Sequence, residues 1–440
     1  MTQGSNFRKI ILLFGDIILL YASVLIALTI RNGSFPSRLV IGVHIMPFSI
    51  INALFILIIY ITGLYDITKK NLASFVNIAK TMTANAVIAI MLFYLIPYFG
   101  IAPKTNLLAD VIISSLLLWG WRKIFLVISK NTGRIKVVFF GDSKEMVDFA
   151  DYLNNNPQLK YEVANIPMGN GNNGIQEILK NQNVDIVVVS ELIKNDKEMV
   201  KMFYKILSTG ITIINFDKFY ESITGKIPVS LISEAWFLEN LVEINKQVFE
   251  RFKRWIDIVL AVIFLVPTII LFPFIAILIK VDSSGSIFYR QKRIGKNGKI
   301  FEITKFRSMI ENAEKNGAEW AKKDDMRITF IGNIIRKTRL DELPQIWNVL
   351  KGELSFVGPR PERPEFVKEL TEKIPHYPMR YLVKPGLSGW AQINFPYGAS
   401  IEDATEKLQY DLYYIKNRSL LLEISILLKT IMTVAQHSGR

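Results

Sequence analysis

Two adjacent carboxylates, Asp341 and Glu342, carry the strongest chemical signal in the chain, within IRKTRLDELPQIWNVLKG at Ile335–Gly352. Proline is tolerated in a first helical turn, as at Pro344, and Gly352 makes a natural stop, so the acids belong to a helix N-terminus. An N-cap with a dipole-matched acid, worth ~1 kcal/mol, would account for them structurally. Spacing alone does not separate that reading from a functional one, but the surrounding charge favours function. Arg336, Lys337 and Arg339 come just before the acids, and a helix N-terminus itself attracts phosphate. Paired carboxylates among cations suit a Mg2+-bound diphosphate: one can attack phosphorus while the other binds metal or handles a proton.

Other segments add cations. SFVGPRPER at Ser355–Arg363 sets Arg360 between two prolines. A stiff turn pre-organises a guanidinium for phosphate, although a plain rigid connection would look the same. RQKRIGKNGKIFEITKFRSM at Arg290–Met309 spaces Arg290, Lys292, Arg293, Lys296, Lys305 and Arg307 through strand-like residues and a glycine-containing turn. Such a surface could take nucleic acid, anionic lipid or a nucleotide-linked substrate. No nucleic-acid motif accompanies it, and lipid head groups account for some of the charge. VKPGLSGWAQIN at Val383–Asn394 is a glycine-punctuated turn with Lys384 at its start, and Leu420–Val434 reads as an interfacial helix interrupted by Glu423 and Lys429. The absence of cysteine excludes thiol catalysis, disulfides and Cys-ligated zinc or iron–sulfur sites. His44, His376 and His437 lie too far apart in sequence to announce a metal site.

The elements that must carry these residues follow from composition. Among 440 residues, half are hydrophobic, yet 53 Lys and Arg stand against 39 acids, a net charge of +14. That combination implies membrane segments joined to a basic soluble part, and the length suggests about three domains. Ile10–Ile30 carries one charge, Asp16, while Leu39–Tyr65 and Thr81–Pro103 carry none. Each meets the ~20 apolar residues a bilayer requires. Asn106–Ser129 is a weaker fourth span, with Asp110 near one end and Arg122 and Lys123 near the other, where basic chains can snorkel. Four successive spans, with no small-residue cleavage pattern after the first, argue against a signal peptide. Arg8, Lys9, Lys69, Lys70, Lys80, Lys130, Arg134 and Lys136 outweigh Arg31, Arg38 and Lys104 on the alternate connections. The bias places the N-terminus and the rest of the chain in the cytoplasm. Asp16 is expected to hydrogen-bond a neighbouring helix, and Pro47 and Pro97 could kink theirs.

Between the spans and the dyad, Val137–Gly141, Val184–Ser190 and Ile211–Asn215 read as strands alternating with helices, hence a parallel sheet. Gly141 begins a G-x-G-x-x-G test that fails, since Ser143 and Met146 fill the next two positions. A structural or regulatory module is therefore favoured over a dinucleotide site. Gly169–Gly174, GNGNNG, is a flexible loop by composition, with a phosphate loop as the weaker alternative. Trp255–Ile279 is then a run of 25 residues with only Asp257 charged. Crossing here would export a basic segment, Val281–Leu340, with 14 Lys and Arg against 7 acids, which positive-inside bias resists. Pro267 and Pro273 favour a break or kink, so the segment is expected to enter and return to the same face.

Taken together, the motifs at Lys253–Asp257, Arg290–Phe301, Lys305–Met309, Leu340–Gln345, Asn348–Glu362, Lys384–Asn394 and Tyr410–Asn417 resemble the bacterial sugar transferase family, the monotopic phosphoglycosyl transferases. The likeness runs from about Lys253 to Gln436; four spans and an α/β module ahead of it resemble the long form more loosely. The resemblance implies a membrane protein of α plus α/β class. It would hold a four-helix transmembrane bundle (1–130), a Rossmann-like middle domain (131–249) and a mixed α/β monotopic catalytic domain (250–440) with a re-entrant helix at 255–279. It implies transfer of a sugar-1-phosphate from a UDP-sugar to polyprenyl (undecaprenyl) phosphate, with release of UMP, at the cytoplasmic face of a bacterial inner membrane. Asp341 would be the nucleophile. Glu342 would assist as Mg2+ ligand or proton handler, both acids lying at the metal. Arg336, Arg360, Lys305, Arg307, Arg290 and Lys384 would bind substrate. Anionic lipid is an expected partner and nucleic acid is not; pairing into a homo-oligomer is left open, as is the sugar. The family's Ser-Pro pair should fall at Ile269–Ile270, so Pro267 and Pro273 imply a relocated or split bend.

Overall fold

The computed structural model describes residues 3–66, 72–95, 104–131, 133–141, 143–164, 183–190, 197–206, 210–241, 247–311, 313, 325–395, 398 and 400–435. Pro97, Lys69, Lys70, His437 and the Gly169–Gly174 loop lie outside them. The chain divides into two compact units, Met1–Ile223 and Thr224–Arg440.

The first unit begins with four long helices: α1 (Gln3–Asn32), α2 (Arg38–Ile61), α3 (Phe75–Leu95) and α4 (Lys104–Asn131). All four contain stretches long and apolar enough to cross a membrane, as does one helix of the second unit. Their shared core joins Leu20, Phe48, Phe55, Met82, Leu107 and Leu118, and Pro47 sits within a continuous α2. Asp16 finds its partner on a neighbouring helix, and the partner is a cation: Arg122 donates to both its oxygens at 3.0 and 2.9 Å. Arg122 therefore does not snorkel; both members of the pair have no solvent exposure. Asp110 accepts from Ser23 Oγ at 2.5 Å.

The sheet follows: β1 (Ile135–Phe140), β2 (Tyr161–Val163), β3 (Ile186–Val189) and β4 (Thr212–Asn215), all parallel in the order β2-β1-β3-β4. β3, Ile-Val-Val-Val, is wholly buried, as a central parallel strand requires. Gly141 takes φ +144°, and a Cβ there would lie 2.7 Å from Met146 Sδ. Ser143 then caps helix α5 (Lys144–Asn154), accepting from Met146 N at 3.3 Å. A side-chain cap and Met146 thus occupy the turn where a dinucleotide fold opens for pyrophosphate.

Residues 224–241, expected to end the middle domain, belong to the second unit. Trp236 and Phe237 are buried there with Tyr377, Leu408 and Leu412. The long helix Gln247–Asp282 runs 36 residues without the expected break, both prolines inside it. Its first half is tied down by Asp257, which accepts from Ser355 Oγ at 3.0 Å and Phe356 N at 3.1 Å, and by Ala261 against Ile303, Ile346 and Val349. Its second half packs Ile275 and Ile279 on Phe306 and Ile335, and Asp282 accepts from Ile331 N at 2.9 Å. Between these anchors Val266, Ile269, Ile270 and Phe274 are exposed. Both ends of the apolar segment are thus fastened to one folded unit.

Two small sheets complete that unit. β5 (Phe288–Ile294) and β6 (Ile300–Phe306) form an antiparallel hairpin; β7 (Ser355–Val357) and β8 (Gly386–Ser388) pair in parallel. The β7–β8 approach needs glycine: a Cβ on Gly386 would stand 2.6 Å from the Val357 carbonyl carbon. Glu423 interrupts the apolar run of helix Leu420–Ala435, but it anchors that helix by pairing with Lys253 and accepting from Tyr414 at 2.6 Å.

Candidate active site

Helix Phe330–Lys337 ends at Thr338, and a 3-10 turn, Leu340–Gln345, carries the dyad into helix Ile346–Lys351. The acids thus lie on a tight turn ahead of the short helix. Neither acts as its cap, and Gln345 makes no side-chain capping bond. The N-cap part of the structural explanation therefore lapses, while both acids do lie in the first turn of the 3-10 segment. Ile346 and Val349 are buried beneath the turn, and β6 runs beside it, which brings Lys305 to the acids.

The two acids have opposite surroundings. Three cations converge on one oxygen of Glu342: Lys305 Nζ at 2.9 Å, Arg360 Nη2 at 2.8 Å and Arg339 Nη1 at 3.6 Å. Burial raises the Glu342 pKa, but Lys305, Arg360 and Arg339 outweigh it and hold this carboxyl well below the ordinary range. Asp341 is 7% exposed, and its Oδ1 is buried without a hydrogen-bond partner. Burial first, then repulsion by Glu342, pushes its pKa up; Lys305, Arg339 and Arg336 only partly offset this. Burial pulls Lys305 down, and Glu342 pulls Arg360 up. One acid is thus a permanently charged hub, and the other a more basic carboxylate with a free oxygen.

The Gly358-Pro359-Arg360-Pro361 turn is held from behind. Arg380 donates to the Arg360 carbonyl at 3.1 Å, to Asp411 at 2.7 Å and to Tyr377 Oη at 2.5 Å. Arg293 donates to the Pro361 carbonyl at 2.9 Å. Sequence reasoning flagged Arg339 beside the dyad and Arg293 in the basic segment without naming either as a substrate residue, and it missed Arg380. Arg380 had no cue near it in the sequence, since it reaches the turn only through tertiary packing.

The expected substrate residues separate. Lys305 and Arg360 meet the dyad, and Arg336, half-buried on the preceding helix, lies near enough to act on Asp341. Arg307 does not join them: it is buried and donates to the Ser283 carbonyl at 2.8 Å and to the Ser284 carbonyl, clamping the chain after the long helix. Arg290 is 68% exposed, 3.8 Å from Glu302. Lys384 lies among Arg254, Asp257 and Glu250, its pKa lowered by burial and by Arg254. Among the described residues no three acids or histidines cluster as a metal cage. The dyad, with an orphaned Asp341 oxygen, does fit a Mg2+ that takes one or two protein carboxylates and completes its shell with phosphate and water.

Comparison with known proteins places the second unit in a family. Residues 248–437 match the family described as "Bacterial sugar transferase". The chain is 42% identical over 229 residues to a UDP-N-acetylgalactosamine-undecaprenyl-phosphate N-acetylgalactosaminephosphotransferase of Aeromonas hydrophila, covering 52% of this chain and 53% of that one. It is 44% identical over 181 residues to a UDP-glucose:undecaprenyl-phosphate glucose-1-phosphate transferase of Xanthomonas campestris pv. campestris, covering 40% and 37%. The chain thus spans about half or less of these two relatives. A putative undecaprenyl-phosphate N-acetylgalactosaminyl 1-phosphate transferase of Bacillus subtilis is 48% identical over 128 residues, 29% of this chain and 72% of that one. The chain belongs to the bacterial sugar transferase family.

Proposed function

We propose that this protein transfers a sugar-1-phosphate from a UDP-sugar to polyprenyl phosphate through a covalent intermediate on Asp341. The observation that carries the mechanism is the asymmetry of the dyad: a buried, unpartnered Asp341 oxygen beside a Glu342 that engages the local cations. Asp341 Oδ1 attacks the phosphorus bearing the sugar. A P–O bond to the other phosphate breaks, and UMP leaves with the electron pair. An oxygen of polyprenyl phosphate then attacks the same phosphorus and frees Asp341. Splitting the transfer lets a soluble and a lipid substrate use one site in turn. Lys305, Arg336 and Arg360 bind the phosphates, and Arg380 keeps the Arg360 turn aimed. Glu342 orders the cations until they shift to substrate. A Mg2+ held by Asp341 and Glu342 would neutralise charge on the diphosphate.

The long helix is proposed to enter the membrane and return by bending at Pro267 and Pro273 while its helical pairing continues. About 37 Å of straight helix would separate Asp257 from Asp282, more than a ~30 Å hydrocarbon core. Tethering of both to one unit supports a shared face, with exposed Val266–Phe274 dipping into lipid. Exposed cations such as Arg290 then face anionic head groups. The Lys/Arg bias of the first unit supports a cytoplasmic catalytic face in a bacterial inner membrane. The test is UMP release from a panel of UDP-sugars with polyprenyl phosphate and Mg2+, wild type against Asp341→Asn. Equal release from both proteins would sink the nucleophile assignment. For the membrane reading, cysteines placed at Lys253 and Ser283 should both react only from the cytoplasmic side.

A further inference from the structure

Arg339 adopts φ +58°, the left-handed region. It follows the helix C-cap Thr338, where a left-handed residue ends the helix and glycine is the usual choice because a side chain is strained there. Lys160 and His376 share this conformation, but only Arg339 aims its charged end at the dyad. Its guanidinium stands 3.6 Å from the Glu342 oxygen that Lys305 and Arg360 also share. Three cations around one carboxylate oxygen are more than its charge can balance, and an incoming diphosphate would offer them several oxygens. Strain retained at a functional turn points to a use for the side chain rather than for the turn.

We infer that Arg339 is a third member of the diphosphate clamp, with Lys305 and Arg360, and that Glu342 holds all three until substrate takes them over. The inference rests on the transferase reading. In the resting site Glu342 stands in for a phosphate oxygen and keeps three cations from repelling one another. As the diphosphate enters, Arg339 moves about one hydrogen-bond length from Glu342 to phosphate, with no change in its backbone. Arg339 precedes Asp341 by two residues, so its contact registers the phosphorus against the nucleophile.

Glycine suits the backbone at 339 better than arginine does, so Arg339→Gly removes the guanidinium without endangering the fold. The full-length protein in detergent micelles is titrated with UDP in the presence of Mg2+, since UDP carries the diphosphate common to every UDP-sugar. Arg339→Gly should weaken UDP about tenfold, the scale of one charge-assisted contact. KM for the donor should rise in step, with Tm unchanged or higher; Arg339→Lys, keeping charge but not the planar fork, should fall between. Wild type and Arg339→Gly binding UDP within twofold of each other would overturn this inference alone. UDP binding to neither protein would overturn both it and the transferase reading.

Discussion

Asp341 and Glu342 are neighbours of nearly the same chemistry, yet neutralising each should move stability in opposite directions. Glu342→Gln removes the one charge that Lys305, Arg360 and Arg339 share. Breaking a buried pair costs ~3–5 kcal/mol. Side-chain exposures of 17% for Lys305 and 35% for Arg360 admit water and reduce this to ~2–3 kcal/mol. For a unit of this size that is a fall in Tm of ~5–10 °C. Asp341→Asn should be neutral or stabilising by up to ~1 kcal/mol. The sign follows from its raised pKa: stability from such a carboxyl is complete below its ordinary pKa and is lost as pH rises through the raised one. At neutral pH the charged form is thus a net cost that Asn removes. Thermal unfolding of the full-length protein in detergent measures both. UDP with Mg2+ should restore Glu342→Gln more than it stabilises wild type, because the ligand replaces the missing anion. Equal destabilisation by the two substitutions would refute the assignment of hub and nucleophile.

Other consequences are as direct. Arg307→Ala should lower Tm by leaving the Ser283 and Ser284 carbonyls without their donor, whereas Arg290→Ala should keep Tm within ~1 °C and donor KM within about twofold; thermal unfolding and UMP-release kinetics check the pair. Arg122→Leu, which strands a buried Asp16, should destabilise the first unit by ~3–5 kcal/mol, and the Asp16→Leu/Arg122→Leu double variant should be less affected, in a double-mutant cycle of thermal unfolding. Burial pushes Asp411 up to about 6 despite Arg380. Its contribution is therefore present below the ordinary carboxylate pKa and lost as pH rises through about 6, and Asp411→Asn should flatten that part of the stability–pH curve by roughly 3 kcal/mol.

Local chemistry made much of the site readable. A doubled acid among cations marked Asp341 and Glu342, and flanking prolines marked Arg360, because those residue types act over a few positions. Lys305 and Arg307 looked equivalent two residues apart, but β6 ends at Phe306: Lys305 reaches the dyad from within the strand, while Arg307, just beyond it, clamps the chain after the long helix. Arg339 gave no sign of its left-handed backbone, since nothing in an arginine requires it. Arg380 and Asp411 met only through tertiary packing between segments 31 residues apart. Proline chemistry predicted a break in the long helix; anchors on both sides and a surrounding exposed surface let the helix run through Pro267 and Pro273. Hydropathy located the four long apolar helices but placed Arg122 at a membrane edge, because a one-dimensional profile does not register the facing Asp16.

The covalent step is the central claim, and a single-turnover experiment without acceptor addresses it. Full-length protein with Mg2+ and a UDP-sugar labelled in the sugar should release UMP stoichiometric with active sites. The sugar phosphate should stay on the peptide containing Asp341 until polyprenyl phosphate is added. UMP release that requires polyprenyl phosphate from the outset, with no label on Asp341, would contradict the account.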